Sequence, residues 1–120
     1  MKVVVTGGRN FRSVDAHLLR KALNDFHSKT SITTLIHGGA KGVDSIAGAW
    51  ALSRNIEVII VQAEWNKYGK RAGPKRNKQM LKMKPDVVLA APGGFGTKNC
   101  VMMAMQRGIK VIHLEIFYKK

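Results

Sequence analysis

Along the chain, short apolar runs alternate with longer segments whose apolar positions fall three and four residues apart. Residues 2–6, 33–37, 57–61, 87–91 and 110–114 are rich in valine, isoleucine and leucine, and each has the length of a strand buried in a sheet. Between the first two runs, Val14, Leu18, Ala22 and Phe26, flanked by Leu19 and Leu23, repeat at the spacing of one buried helix face, with Ser13 placed to cap it. Val43, Ala47, Trp50 and Ala51 give a second helix. A third is predicted from the first-turn proline Pro74 through Arg76, Asn77, Met80 and Leu81, stopping before the breaker Pro85. The last is predicted over about residues 97–107, burying Val101, Ala104 and Met105, with Gly108 as its stop. Residues 62–73 show no such periodicity and read as a long basic, aromatic loop.

Strands alternating with helices at these intervals predict an α/β fold: a doubly wound parallel sheet of about five strands, helices on both faces, right-handed crossovers and strand order 3-2-1-4-5. A chain of 120 residues is long enough for one core, so residues 1–120 are expected to form a single domain. That order puts the first and fourth strands side by side, where an open α/β sheet keeps its ligands. Three glycine turns leave strand ends: Gly7-Gly8-Arg9, then Gly38-Gly39-Ala40-Lys41-Gly42, then Pro92-Gly93-Gly94-Phe95-Gly96-Thr97. Glycines let backbone amides approach an anion, most often phosphate, and Thr97 is placed to cap the following helix. The first and third turns are expected to face each other across one crevice, with the second beside them.

Charge adds a second theme. Twenty-one Lys and Arg against seven Asp and Glu give a formal net charge of +14, so a polyanionic partner enters the picture. Between Glu64 and Asp86 the chain carries Lys67, Lys70, Arg71, Lys75, Arg76, Lys78, Lys82 and Lys84 and no acid. No apolar run has the length of a membrane span and no signal-peptide pattern opens the chain, so a soluble, cytoplasmic protein without membrane partners is expected. The single cysteine, Cys100, reads as a packing residue on a helix face. His17, His27 and His113 have no metal-ligand spacing, and no structural metal is expected.

Individual residues suggest chemistry. Arg9 can bring its guanidinium over a phosphate, and Lys41 can pair with one, although its surroundings do not form a Walker loop. Asp44, in the first turn of the second helix, suits either the helix dipole or a ribose hydroxyl or catalytic water. His37, at the end of a strand, reads as structural rather than as a base. Trp65 and Tyr68 sit among cations and suit either stacking on a base or anchoring the loop.

Four ordered motifs, Val5-Thr6-Gly7-Gly8-Arg9, His37-Gly38-Gly39-Ala40-Lys41-Gly42-Val43-Asp44, Ala72-Gly73-Pro74-Lys75-Arg76-Asn77 and Pro92-Gly93-Gly94-Phe95-Gly96-Thr97, resemble the YspA-like branch of the SLOG superfamily over nearly the whole chain. The resemblance implies a Rossmann-like domain that binds nucleotides or nucleotide-derived ligands, in a superfamily that also holds the Lonely Guy phosphoribohydrolases and the DNA-processing protein A family. It also implies Arg76 as the counterpart of an enzyme-branch arginine. That branch places two glutamates after the turn, and here Asn99 and Cys100 occupy those positions, neither able to work as a carboxylate.

The leading expectation is therefore a nucleotide or phosphorylated nucleoside bound by amides of residues 93–97 and of Gly38 and Gly39, with Arg9 and Arg76 neutralising charge. The candidate contacts are Gly7, Gly8, Arg9, Gly38, Gly39, Lys41, Asp44, Arg76, Asn77, Pro92, Gly93, Gly94, Gly96 and Thr97. Two alternatives stand beside it. One is N-glycoside hydrolysis of a nucleoside monophosphate, with Asp44, Glu64 and Arg76 as candidate catalytic residues. The other is single-stranded nucleic-acid binding through the basic residues 67–84. The methionines on helical positions, Met80, Met102, Met103 and Met105, point to core packing or to a homodimer.

Overall fold

The computed structural model describes residues 1–10, 13–114 and 116. Five strands, β1 (Lys2–Thr6), β2 (Thr34–His37), β3 (Glu57–Ile60), β4 (Val87–Ala90) and β5 (Lys110–His113), form one sheet in the order β3-β2-β1-β4-β5. All four pairings are parallel. Five helices complete the described residues: α1 (Ser13–Lys29), α2 (Val43–Ser53), α3 (Trp65–Tyr68), α4 (Ala72–Lys82) and α5 (Phe95–Gln106). None of them is long and apolar enough to cross a membrane.

The apolar strand runs follow from covering the sheet on both faces. Successive side chains of a strand point to opposite sides. Val3 and Val5 of β1, Leu35 of β2 and Val87 and Leu89 of β4 therefore enter one core with Leu19, Leu23, Val43, Ala47 and Trp50 of α1 and α2. The intervening Val4, Ile36 and Val88 enter a second core with Met80 and Leu81 of α4 and Cys100 and Ala104 of α5. Each fully buried Val, Leu or Ile contributes about 1.5–3 kcal/mol relative to an exposed one, so the three central strands anchor the fold. The outer strands β3 and β5 expose their end residues, Glu57, Ile60, Lys110 and His113, because each has a neighbour on one side.

Local boundaries differ from the sequence reading in four places. Ser13 is the first residue of α1, and the capping role expected of its side chain lies outside the described residues, as does the packing of Val14. Leu19 and Leu23 are the fully buried pair on α1, with Leu18, Ala22 and Phe26 packed beside them. The expected loop over residues 62–73 holds α3 and a 3-10 turn (Gly69–Arg71), and α4 starts at Ala72, two residues before Pro74. Pro74, lacking an amide hydrogen, still sits in the first turn, where that hydrogen would have no helical acceptor.

The fourth difference matters for the site. Gly94, in an extended conformation (φ −92°, ψ −143°), is the N-cap of α5, and no side chain caps it. Thr97 is the helix's third residue rather than its cap, and it is buried. The packed stripe of α5 is accordingly Thr97, Cys100 and Ala104; Met105, expected inside, is 66 % exposed.

Candidate functional site

Strands β1 and β4 end level with each other, Thr6 opposite Ala90, and their continuations then separate towards α1 and α5. Three backbone bonds hold the diverging loops: Ala91 N–H donates to Thr6 O (2.9 Å), Gly8 N–H to Pro92 O (2.9 Å) and Val43 N–H to Gly8 O (3.0 Å). These close approaches explain the glycines. A Cβ on Gly93 would stand 2.7 Å from Gly8 N, and one on Gly42, whose φ is +77°, would meet Gly8 O. Between the loops opens a crevice of about 500 Å³. Its lining includes Val5, Thr6, Gly7 and Gly8 from the end of β1 and the loop after it, Asp44 of α2, Trp65 of α3, Arg76 and Asn77 of α4, and residues 94–97.

The first turn of α5 is the most open hydrogen-bonding feature of this crevice. The first bond of the helix runs from Lys98 N–H to Gly94 O (3.1 Å), so the amides of Gly94, Phe95, Gly96 and Thr97 have no partner within the described residues. All four residues line the crevice. Unpaired amides and the positive end of the helix dipole together favour an anion there. Neither Gly94 nor Gly96 has any heavy atom within 4 Å of where a Cβ would be.

The second glycine loop behaves differently from its expected role as a phosphate cradle. Gly38 and Ala40 donate their amides to Oδ2 of Asp44 (3.0 and 3.2 Å), and Gly39 donates to Nδ1 of His37 (3.0 Å). A buried carboxylate at the start of α2 has thus taken the amides an external anion would need. Gly38, Gly39 and Lys41 also lie outside the crevice lining, whereas Asp44 is part of it. Burial raises the Asp44 pKa, against opposing effects of the Ala40 amide, His37, Arg76 and the Gly38 amide. Its Oδ1 makes no hydrogen bond within the described residues, and Asp44 lines the crevice. Burial likewise lowers the pKa of His37, with Asp44 acting against it.

Arg76 is clamped into the wall: Nη1 donates to Gly38 O (2.7 Å) and Nε to Asn77 Oδ1 (2.9 Å), leaving Nη2 without a partner in the described residues. Burial lowers its pKa, with Asp44 acting against that. Asn77 continues the network by donating Nδ2 to Gly96 O (3.1 Å) and to Asn99 Oδ1 (3.0 Å). Arg76 therefore helps hold the second glycine loop, and Asn77 helps hold the first turn of α5. Cys100 is fully buried and its thiol is pushed up to about 11, mainly by burial, so it is a packing residue.

At the mouth, the Arg9 guanidinium lies 5.7 Å from the centroid of the Trp65 ring. Trp65 is 48 % exposed and Phe95 78 % exposed, so the crevice lining includes exposed aromatic surface. Sequence reading counted neither the Phe95 side chain nor Lys70, known only as part of the basic stretch, among the crevice contacts, and both line it. For Phe95 the signal was present, a large apolar residue between two glycines at the opening of a helix. Glu64, a carboxylate candidate, is exposed and outside the lining. Pro92 and Gly93 line a different groove of about 670 Å³, between α5 and β5 with Val101, Met102 and Met105. That groove is larger but mostly apolar, and the convergent polar groups belong to the crevice. Among the described residues no group of three or more His, Cys, Asp or Glu side chains could hold a metal ion.

A family model for YAcAr, the YspA, cpYpsA-related SLOG family, matches residues 1–68. The Gene 61 protein of Mycobacterium phage D29 is 36 % identical over 120 residues, covering 93 % of this chain and 94 % of that protein. The chain belongs to the YspA, cpYpsA-related SLOG family. The stretch matched by the SLOG model holds the first two glycine turns; α4 and the Pro92 turn lie beyond it. Among solved structures, the X-ray structure of TM1055 superposes with a TM-score of 0.68 at 20 % identity, covering 92 % of this chain and 71 % of that one. DNA processing protein A (DprA) from Streptococcus pneumoniae gives a TM-score of 0.53 at 20 % identity, covering 92 % of this chain and 58 % of that one. At such identity these likenesses establish a shared Rossmann-like fold.

Proposed function

We propose that the crevice between β1 and β4 binds a nucleotide or nucleotide-derived phosphorylated ligand. The observation that carries this reading is the run of four amides at the start of α5 that have no partner among the described residues, opening onto a crevice that also presents Arg9 and Arg76, whose Nη2 likewise has no partner among them. The phosphate sits on the amides of Gly94, Phe95, Gly96 and Thr97, and the two guanidiniums balance its charge. Trp65 and Phe95 offer faces on which a base can stack, and Asp44 Oδ1 offers an acceptor for a ribose hydroxyl. Membership of a SLOG family supports the same ligand class. A cytoplasmic location, where nucleotides are abundant, belongs to this reading.

A thermal-shift screen of nucleoside mono-, di- and triphosphates at moderate salt tests it, paired with mass spectrometry of small molecules released from the purified protein. A ligand at one hundred times its Kd raises stability by roughly 2.7 kcal/mol, a shift of several degrees. No shift with any nucleotide, together with no co-purified nucleotide, refutes the reading.

N-glycoside hydrolysis is the second reading, favoured by one observation: Asp44 is an acid lining the crevice whose Oδ1 accepts no hydrogen bond among the described residues. Release of free base measured by chromatography, and its loss in Asp44→Asn, would support turnover; no base release would leave a binding site. Self-association through α5, where Met102 and Met105 are 52 % and 66 % exposed, is a further part of the proposal, and a monomeric mass by light scattering would end it.

A further inference from the structure

Asp44 already makes the contacts of a bound anion. Its Oδ2 accepts the amides of Gly38 (3.0 Å) and Ala40 (3.2 Å), as a phosphate oxygen does in a glycine loop, and it stands in the first turn of α2, where the helix dipole favours negative charge. The residue is 6 % exposed, yet it lines the crevice, as does Ala40. The Arg76 guanidinium donates to Gly38 O and lies so close that a Cβ on Gly38 would collide with it. The loop after β2 is thus supplied with an anion of its own, whereas the first turn of α5 contains no acid.

The charges around the crevice point the same way. Its described lining holds three cations, Arg9, Lys70 and Arg76, and one carboxylate, Asp44, an excess of two positive charges. A terminal phosphate monoester carries about −1.5 to −2 near neutral pH, and each further phosphate adds about one negative charge. An excess of two therefore matches one monoester. A longer phosphate chain gains little from the remaining cations, because Arg9 and Lys70 are exposed and screened by salt, while the buried carboxylate that repels it is screened much less.

We propose that the crevice is built for a ligand with a single phosphate monoester, and that Asp44 is the specificity-determining residue, excluding a second phosphate by holding the Gly38 and Ala40 amides and by repelling its charge. The proposal rests on the nucleotide reading above and narrows it to nucleoside monophosphates. At an effective dielectric constant near 20, two unit charges roughly 8 Å apart repel enough to change affinity by about 30-fold, so with some screening a preference of about tenfold is expected.

The test is isothermal titration calorimetry with the mono-, di- and triphosphates of adenosine, guanosine, cytidine and uridine, at physiological ionic strength and with EDTA to keep divalent cations off the phosphates. Wild type should bind the monophosphate of its preferred base about tenfold or more tighter than the diphosphate, with the triphosphate no better. In Asp44→Asn, which keeps the shape without the charge, the diphosphate should come within about threefold of the monophosphate. The monophosphate itself should bind this variant less well, because an acceptor beside it has changed, so the ratio carries the result. A role for Asp44 confined to a ribose hydroxyl would weaken all three ligands alike and leave the ratio untouched. Asp44→Ala, which also releases the two amides, should lower the ratio further, and its melting temperature reports whether the fold is kept. Asp25→Asn removes the same charge from an exposed position on α1 outside the crevice lining and should leave the ratio at its wild-type value.

Three results overturn the proposal: a wild type that binds di- or triphosphates as tightly as monophosphates, an Asp44→Asn protein that keeps the full preference, or an Asp25→Asn protein that loses it to the same extent. No binding of any nucleotide by the wild type is a different failure, because it removes the nucleotide crevice itself and this proposal with it.

Discussion

Replacing Asp44 separates what its charge does from what its shape does. The residue is 6 % exposed and its Oδ2 accepts the Gly38 and Ala40 amides at 3.0 and 3.2 Å. Burial raises its pKa in spite of those bonds and of Arg76 and His37, so ionisation is harder in the folded state than in the unfolded one. A raised pKa contributes stability that is fully present below the ordinary value of 3.8 and is lost as pH rises through the folded-state value. Asparagine keeps the shape and a carbonyl for the two amides without the charge. Asp44→Asn is therefore expected to equal or exceed wild type at pH ~7, by about 1.4 kcal/mol for every tenfold by which folding weakens the acid. That advantage should fade in acid. His37 adds to the trend, because burial lowers its pKa and Asp44 partly restores it. Stability from neutral His37 is present above its ordinary 6.5 and lost as pH falls through the folded value; without the Asp44 charge that value drops further and the acid loss steepens. Asp44→Ala, by contrast, leaves two amides of a packed loop without an acceptor and should cost about 2–5 kcal/mol. Urea unfolding followed by tryptophan fluorescence across the acid to neutral range measures all three proteins. An Asn variant weaker than wild type by more than about 1 kcal/mol at neutral pH, with the deficit shrinking in acid, would refute the reasoning, since the charge would then be holding the loop together. A buried charge that costs the fold points to use by a ligand, so the same variant should show a smaller nucleotide-induced thermal shift.

Other expectations follow from the same geometry. Gly93→Ala forces a Cβ to 2.7 Å from Gly8 N and 2.9 Å from Gly7 C, and should lower stability by about 1–3 kcal/mol or more in urea unfolding. Gly96→Ala, with nothing within 4 Å, should instead gain about 0.5–1 kcal/mol from helix propensity, and an equal loss at both positions would contradict the difference in packing. Cys100, with its thiol near 11, should resist alkylation in the native protein at mildly alkaline pH and react on unfolding; rapid native labelling would show the residue is not packed as described. Trp50→Phe removes the Nε1–H donor to Asn24 Oδ1 (2.8 Å) at a site 2 % exposed, and should lower the urea midpoint by the equivalent of about 1–3 kcal/mol.

The sequence by itself determined the architecture, because alternation of buried strand runs with helical periodicity admits few arrangements once crossovers are right-handed. Val3, Val4 and Val5 are all apolar because both faces of β1 are covered, and that pattern is local enough to read directly. The glycine turns and Arg9 could be singled out for a related reason, since a strand end in such a sheet has a known neighbourhood, whereas Arg76 and Asn77, inside α4, were pointed to by a motif that resembles the family. Tertiary structure decided which of those groups remain free. Only the folded chain brings Asp44 back onto the amides of Gly38 and Ala40, turning an apparent phosphate loop into a closed one. Only the extended Gly94 moves the start of α5 to Phe95, freeing four amides and putting an exposed ring beside them. A hydrogen bond between residues distant in sequence leaves no periodic trace, and whether an amide serves the protein or a ligand depends on which acceptor reaches it first.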